Sequence, residues 1–240
     1  MISNKSKKLV LPFIGNSSIY SGSEIEINPS KIICLGRNYK AHTEELGDEV
    51  PDEPILFPKL NNVLIGPNEN IVIPKILSKI GKPRVDYEGE LAIIIGKQCK
   101  SVNEEDAFSY ILGYTCFNDV TARELQAKDI KNSLPWFKSK SLDTFGPIGP
   151  VVVSAQEIQD PNKLELKTIL NGKVVQKVNT ADMIFRVGYL IEYISSYFML
   201  EAGDIIATGT PSGIGQLKEG DLIEINIEGI GTLKNRVVKE

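Results

Sequence analysis

Histidine, tryptophan and cysteine are scarce in this chain of 240 residues: one His, one Trp and three Cys. Cys34, Cys99 and Cys116 are too few for a disulfide framework, and no CxxC spacing offers a thiolate zinc site. Reduced thiols in a cytoplasmic protein are the simplest expectation. An excess of positive charge is also missing. Lys and Arg number 27 against 31 Asp and Glu, a net charge of -4, which argues against nucleic acid as a partner. Long apolar runs are absent. The stretch 9–14 is interrupted by Pro12 and is too short for a signal segment or a membrane span. The longest apolar-rich stretch, 183–200, holds Arg186 and Glu192 and predicts a buried or amphipathic helix, so no membrane partner is expected. Internal repeats and low-complexity tracts are lacking too.

What is present suffices for a folded chain. Hydrophobic residues make up 42% and charged residues 24%, and a chain of this size buries roughly 70–75% of its unfolded surface. Strand signals dominate: 32–35, 71–73, 85–96, 110–120, 205–208 and 222–227 are β-rich. Asn171-Gly172 between β-rich arms predicts a type I′ hairpin over 164–178, and 231–238 is placed to pair back through Glu228-Gly229. Helices are fewer: 104–110 capped by Asn103, 121–128, and a long one from Thr180 or Asp182 through Leu200. Many strands without regular β-α-β alternation predict an α+β fold, mixed and mostly β, with flanking helices. Residues 1–30, rich in Ser, Asn and Lys, are expected to form a short N-terminal extension to a main domain over 31–240.

The segment Asp86-Tyr87-Glu88-Gly89-Glu90 carries the most chemistry. Residues two apart in a strand share a face, so Asp86, Glu88 and Glu90 are expected to project together. Like charges that close repel unless a cation intervenes, and a hard divalent ion prefers such oxygen ligands. An acidic face kept for solubility is the plain alternative. Gly89 leaves room for close backbone approach on the other face. Asp119, at a strand end before a helix, reads as a helix cap or as a further ligand.

His42 and Glu45 are i and i+3 and meet on one helical turn. Glu45 can then orient the imidazole as a general base, although a surface histidine in a charged loop has the same spacing. The turn-rich stretch 47–54 follows and reads as mobile, so the base would arrive with substrate. Lys140 is a cation near the aromatic pair Trp136-Phe137, placed to neutralise a carboxylate or enolate, or simply solvated. The Gly-rich loop 208–215 matches neither the P-loop nor the complete Rossmann spacing, and is a weak anion-binding signal.

In order and spacing these segments resemble the fumarylacetoacetate hydrolase family, from about residue 32 to 238. The carrying motifs are Gly36-Arg37-Asn38-Tyr39 with His42 and Glu45, Asp86-Tyr87-Glu88-Gly89-Glu90-Leu91 and Asn118-Asp119-Val120-Thr121-Ala122-Arg123. Lys140-Ser141, Asn179-Thr180-Ala181-Asp182-Met183-Ile184-Phe185 and Gly209-Thr210-Pro211-Ser212-Gly213 complete the set. Glu124 departs from the Asp of many relatives but keeps the charge. The resemblance implies a β-roll catalytic domain over 31–240 and usually a homodimer. It implies Mg²⁺ or Mn²⁺ on Glu88, Glu90 and Asp119, with Asp86 outside the ligand set. It also implies catalytic roles for His42, Glu45 and Lys140, and substrate contacts from Arg37, Gln126, Lys140 and Thr210.

The length and the His-x-x-Glu pair are similar to the short branch of that family, which includes acylpyruvate hydrolases and oxaloacetate decarboxylases. The implied substrate is a small 2-oxo acid that chelates the metal. C–C hydrolysis of an acylpyruvate, a 2,4-diketo acid, through a metal-bound pyruvate enolate is the first expectation. Oxaloacetate decarboxylation or keto–enol tautomerisation uses related chemistry, and a catalytically silent metal- or metabolite-binding protein is the third possibility.

Overall fold

A computed structural model describes residues 8–47, 49–81 and 84–240. The N-terminal segment 1–7 and Asp48, which enter the N-terminal-extension and mobile-loop expectations, lie outside the described residues. The fold is mixed α+β, mostly strands with few helices, as expected. A nine-stranded sheet runs in the order Glu24–Glu26, Val10–Ile14, Gly146–Ser154, Ile111–Asn118, Gly89–Ile95, Ile205–Ala207, Ile32–Gly36, Ile55–Lys59, with Leu64–Ile65 pairing beside Gly146–Ser154. Two strands from the first 30 residues thus form one edge of the sheet. A five-stranded sheet packs nearby in the order Lys173–Asn179, Glu165–Leu170, Leu222–Ile227, Gly231–Lys239, Asn70–Ile73.

The continuous apolar run 91–95 is explained by burial on both faces of the large sheet. Leu91, Ile93 and Ile95 enter one core with the long helix and the second sheet. Ala92 and Ile94 enter the other, with Leu11, Phe57, Phe117 and Ile148. Strand Ile32–Gly36 divides likewise, with Ile33 and Leu35 on one side and Ile32 and Cys34 on the other. The three cysteines are buried and unpaired. The hairpin turns at Asn171 (φ 51) and Gly172 (φ 81), the paired positive φ values that a type I′ turn requires.

Several boundaries differ from expectation, each for a local reason. The strand expected over 85–96 breaks at Glu88, whose N–H donates to Asn118 Oδ1 (3.0 Å) instead of a ladder partner. Val85–Tyr87 then leaves for a small sheet with Thr121–Ala122 and Gly215–Gln216. The next helix therefore starts late, at Arg123, and runs to Lys131. Residues Glu104–Tyr110 wind as a 3₁₀ helix, and Asn103 makes no side-chain cap. The long helix is Val187–Tyr197, shorter at both ends than predicted. Thr180 does not cap it, because its hydroxyl is occupied by Pro161 O and Leu164 N. At the other end Leu200 pairs with Cys99. No helix among the described residues is long and apolar enough to cross a membrane.

Candidate metal centre and active site

The break at Glu88 creates the site. Gly89 pairs with Asn118 across the antiparallel strands, so Glu88, Glu90 and Asp119 converge at one end of that pairing. One oxygen from each lies within 4.8 Å of the others, and all three side chains are buried. Three buried carboxylates repel unless positive charge is supplied. Lys140, at the end of the short helix Phe137–Lys140, bridges Glu88 Oε2 (2.7 Å) and Asp119 Oδ2 (2.6 Å). Lys59 holds Asp119 Oδ1 at 2.5 Å and also donates to Val120 O. Arg123 joins Glu88 Oε1 to Asp86.

These cations act unequally on the acids. Burial opposes ionisation of Glu88, but Lys140 and Arg123 outweigh it and hold its carboxyl well below the usual range. Glu90 goes the other way: burial, then the charges of Asp119 and Glu88, push its carboxyl far up. Its Oε2 accepts the Gly209 N–H at 2.8 Å, while Oε1 is buried with no hydrogen-bond partner among the described residues. An orphaned carboxylate oxygen beside two other acidic oxygens is an environment that a hard divalent cation relieves. The donor set therefore fits Mg²⁺ or Mn²⁺. Burial depresses the Lys140 ammonium, but Asp119 and Glu88 reverse this and leave its basicity above the ordinary value.

A cleft of about 400 Å³ opens onto this cluster. Arg37, His42, Gln126, Lys140 and Thr210 line it, together with Glu88 and an apolar wall that includes Phe57 and Trp136. His42 sits on the helix Lys40–Leu46 with its side chain 6% exposed, and its Nδ1 meets Glu45 Oε2 at 3.2 Å. The Glu45 carboxylate in turn accepts the Gly213 N–H at 3.1 Å. Gln126 accepts from Arg123 at 2.7 Å. The Thr210 hydroxyl donates to Gly89 O (3.0 Å) and accepts from Gln176 (2.9 Å), so its proton is already committed to the protein.

Asp86, which strand geometry alone placed with Glu88 and Glu90, stands apart: its oxygens are bound by Arg84 (2.8 Å) and Arg123 (2.9 Å). Sequence reasoning missed Lys59, the bridging role of Arg123, and Gln176. The available signal for Lys59 was its parity with Phe57 in Ile55–Lys59, which turns both inward.

With this geometry in hand, comparison with known proteins is decisive. A family model described as fumarylacetoacetate (FAA) hydrolase C-terminal matches residues 31–238. The chain belongs to the fumarylacetoacetate hydrolase family. Within that family, an uncharacterized protein of Archaeoglobus fulgidus is 49% identical over 249 residues, covering 95% of each chain. An oxaloacetate tautomerase of Bacillus subtilis is 42% identical over 236 residues, covering 92% of this chain and 76% of its own. A fumarylpyruvate hydrolase of Pseudomonas aeruginosa, solved in complex with Mn²⁺ and pyruvate, matches with a TM-score of 0.86 at 28% identity, covering 97% of both chains. Members of this fumarylacetoacetate hydrolase family thus include both isomerising and hydrolysing enzymes.

Proposed function

We propose that the chain is a divalent-metal-dependent enzyme of small 2-oxo acids, with keto–enol tautomerisation of oxaloacetate as its leading activity. The observation that carries this reading is the buried His42, paired with Glu45 and lining the same cleft as Glu88 and Lys140. Glu88, Glu90 and Asp119 would hold the ion. When bound, the cation supplies positive charge that orients a 2-oxo carboxylate and lowers the acidity threshold of its C3 protons.

The chain's own groups then divide the work. Glu45 accepts the Nδ1–H of His42, which leaves Nε2 as the base. His42 takes a proton from C3 of the keto form and, as imidazolium, returns it to the C2 oxygen to give the enol; in the reverse direction it takes the enol hydroxyl proton and delivers it to C3. Lys140 adds a charge that offsets the negative charge growing on the substrate oxygens. Arg37 and Gln126 bound the far part of the ligand, and the apolar wall limits water. The identity to a named oxaloacetate tautomerase supports this ordering, which places isomerisation ahead of the hydrolysis first expected from the motifs.

C–C hydrolysis of an acylpyruvate is the second reading, favoured by the full-length match to a fumarylpyruvate hydrolase. There His42 would deprotonate a water for attack at C4. Oxaloacetate decarboxylation would require no attacking water. The deciding experiment gives metal-loaded protein oxaloacetate and acetylpyruvate in parallel, following enol absorbance and pyruvate release. Accelerated loss of the oxaloacetate enol without pyruvate is expected. Pyruvate release from acetylpyruvate with no effect on oxaloacetate would replace this reading with the hydrolase, and no turnover of either would favour a silent binding protein. A homodimer is part of the same proposal, and a monomeric mass by light scattering would contradict it.

A further inference from the structure

We propose that Gln176 is a positioning residue that ties the two halves of the site together. It lies on Lys173–Asn179, the edge strand of the second sheet, and is 2% exposed. Its Oε1 accepts the N–H of Gly89 at 3.1 Å, and its Nε2 donates to Thr210 Oγ1 and to Pro211 O, both at 2.9 Å. Each N–H of the amide has an acceptor, so no donor remains for a ligand. Thr210 completes the clasp by donating to Gly89 O at 3.0 Å. Both polar groups of Gly89 are therefore held by side chains, at the one residue that separates Glu88 from Glu90.

The same amide fixes the loop that serves the base. Thr208 to Gly213 carries the Gly209 N–H bonded to Glu90 and the Gly213 N–H bonded to Glu45. Gln176 grips the loop between those points, at Thr210 and Pro211. Its neighbour Val175 packs against Gly213, where an added Cβ would lie 2.4 Å from Val175 O. Movement of this amide displaces the backbone between two acids and the anchor of Glu45 together. A buried amide with every strong bond made is costly to disturb, because the groups left behind have no water to turn to.

The inference rests on Glu88, Glu90 and Asp119 being the cation's ligands. The test is Gln176→Met, which keeps length and removes all three hydrogen bonds. Mn²⁺ affinity is measured by calorimetry on metal-stripped protein, and folding by the cooperativity of the thermal melt. Outer partners of metal ligands are worth roughly 10–100-fold in affinity, and a loss in that range is expected with cooperative melting retained. A lowered melting temperature with Mn²⁺ affinity within about twofold of wild type would reduce Gln176 to a structural residue and overturn the proposal. Should Gln176→Met fail to fold, Thr210→Val carries the test: it is expected to weaken Mn²⁺ binding, and unchanged affinity overturns the proposal. Wild-type protein that binds no Mn²⁺ overturns the ligand assignment and this inference together, whereas equal binding by wild type and variant overturns only the role of Gln176.

Discussion

The acidic cluster and the proposed base are built in opposite ways. Glu88, Glu90 and Asp119 hang from the joint between two long strands, and Lys59, Lys140, Arg123 and main-chain groups surround them on several sides. His42 rides on a seven-residue helix without a side-chain N-cap, steadied by Glu45, whose own side chain is 34% exposed. The contrast teaches a division of labour: a rigid, buried half suited to binding and a lightly held half suited to moving a proton. Short helices have little stability of their own, so tertiary anchors such as the Gly213 N–H set where His42 stands.

The comparison is broken most forcefully at the rigid half. Chelator treatment, or Glu88→Gln, is expected to abolish turnover, and Glu88→Gln to reduce Mn²⁺ affinity by about 100-fold or more, since a proposed carboxylate ligand is lost outright. The fold should survive at some cost in stability, because Lys140 keeps Asp119 and Arg123 keeps Asp86 as ion-pair partners. Calorimetry and an activity assay before and after Mn²⁺ addition check this, and full activity after chelation would contradict it.

His42→Ala attacks the other half. The expected loss in kcat is about 10²–10⁴-fold, with Mn²⁺ affinity left where it was. If metal binding falls alongside kcat, the two halves are not separable in the way described. Glu45→Gln keeps the shape and removes the charge that orients the imidazole. A smaller fall in kcat is expected, roughly tenfold, and equality with His42→Ala would mean that Glu45 does more than orient. Smallest in chemical terms is Gly89→Ala, where the new Cβ would lie 2.2 Å from Thr168 Oγ1. It is expected to lower stability by about 1–3 kcal/mol through overpacking, read from denaturant melts, and an unchanged midpoint would show that the second sheet yields easily.

Much of the rigid half was legible because its signals are local. Alternation placed Glu88 and Glu90 on one face, together with Asp86, at the start of a β-rich stretch. His42 and Glu45 were legible from their i, i+3 spacing. What stayed hidden depends on distant pairing. Lys59 meets Asp119 across 60 positions, and Gln176 reaches Gly89 across 87. The departure of Asp86 was also invisible to periodicity, because the strand breaks at Glu88 and two arginines draw the preceding acid away. Helix limits failed where a capping residue found a nearer partner, as Thr180 did with Leu164 and Pro161.

Crystals of the protein soaked with Mn²⁺ and measured at the manganese absorption edge give the most direct test. A single anomalous peak in contact with the carboxylates of Glu88, Glu90 and Asp119 is the predicted result. An ion bound elsewhere, or none at those three side chains in crystals that take up Mn²⁺, would contradict the account.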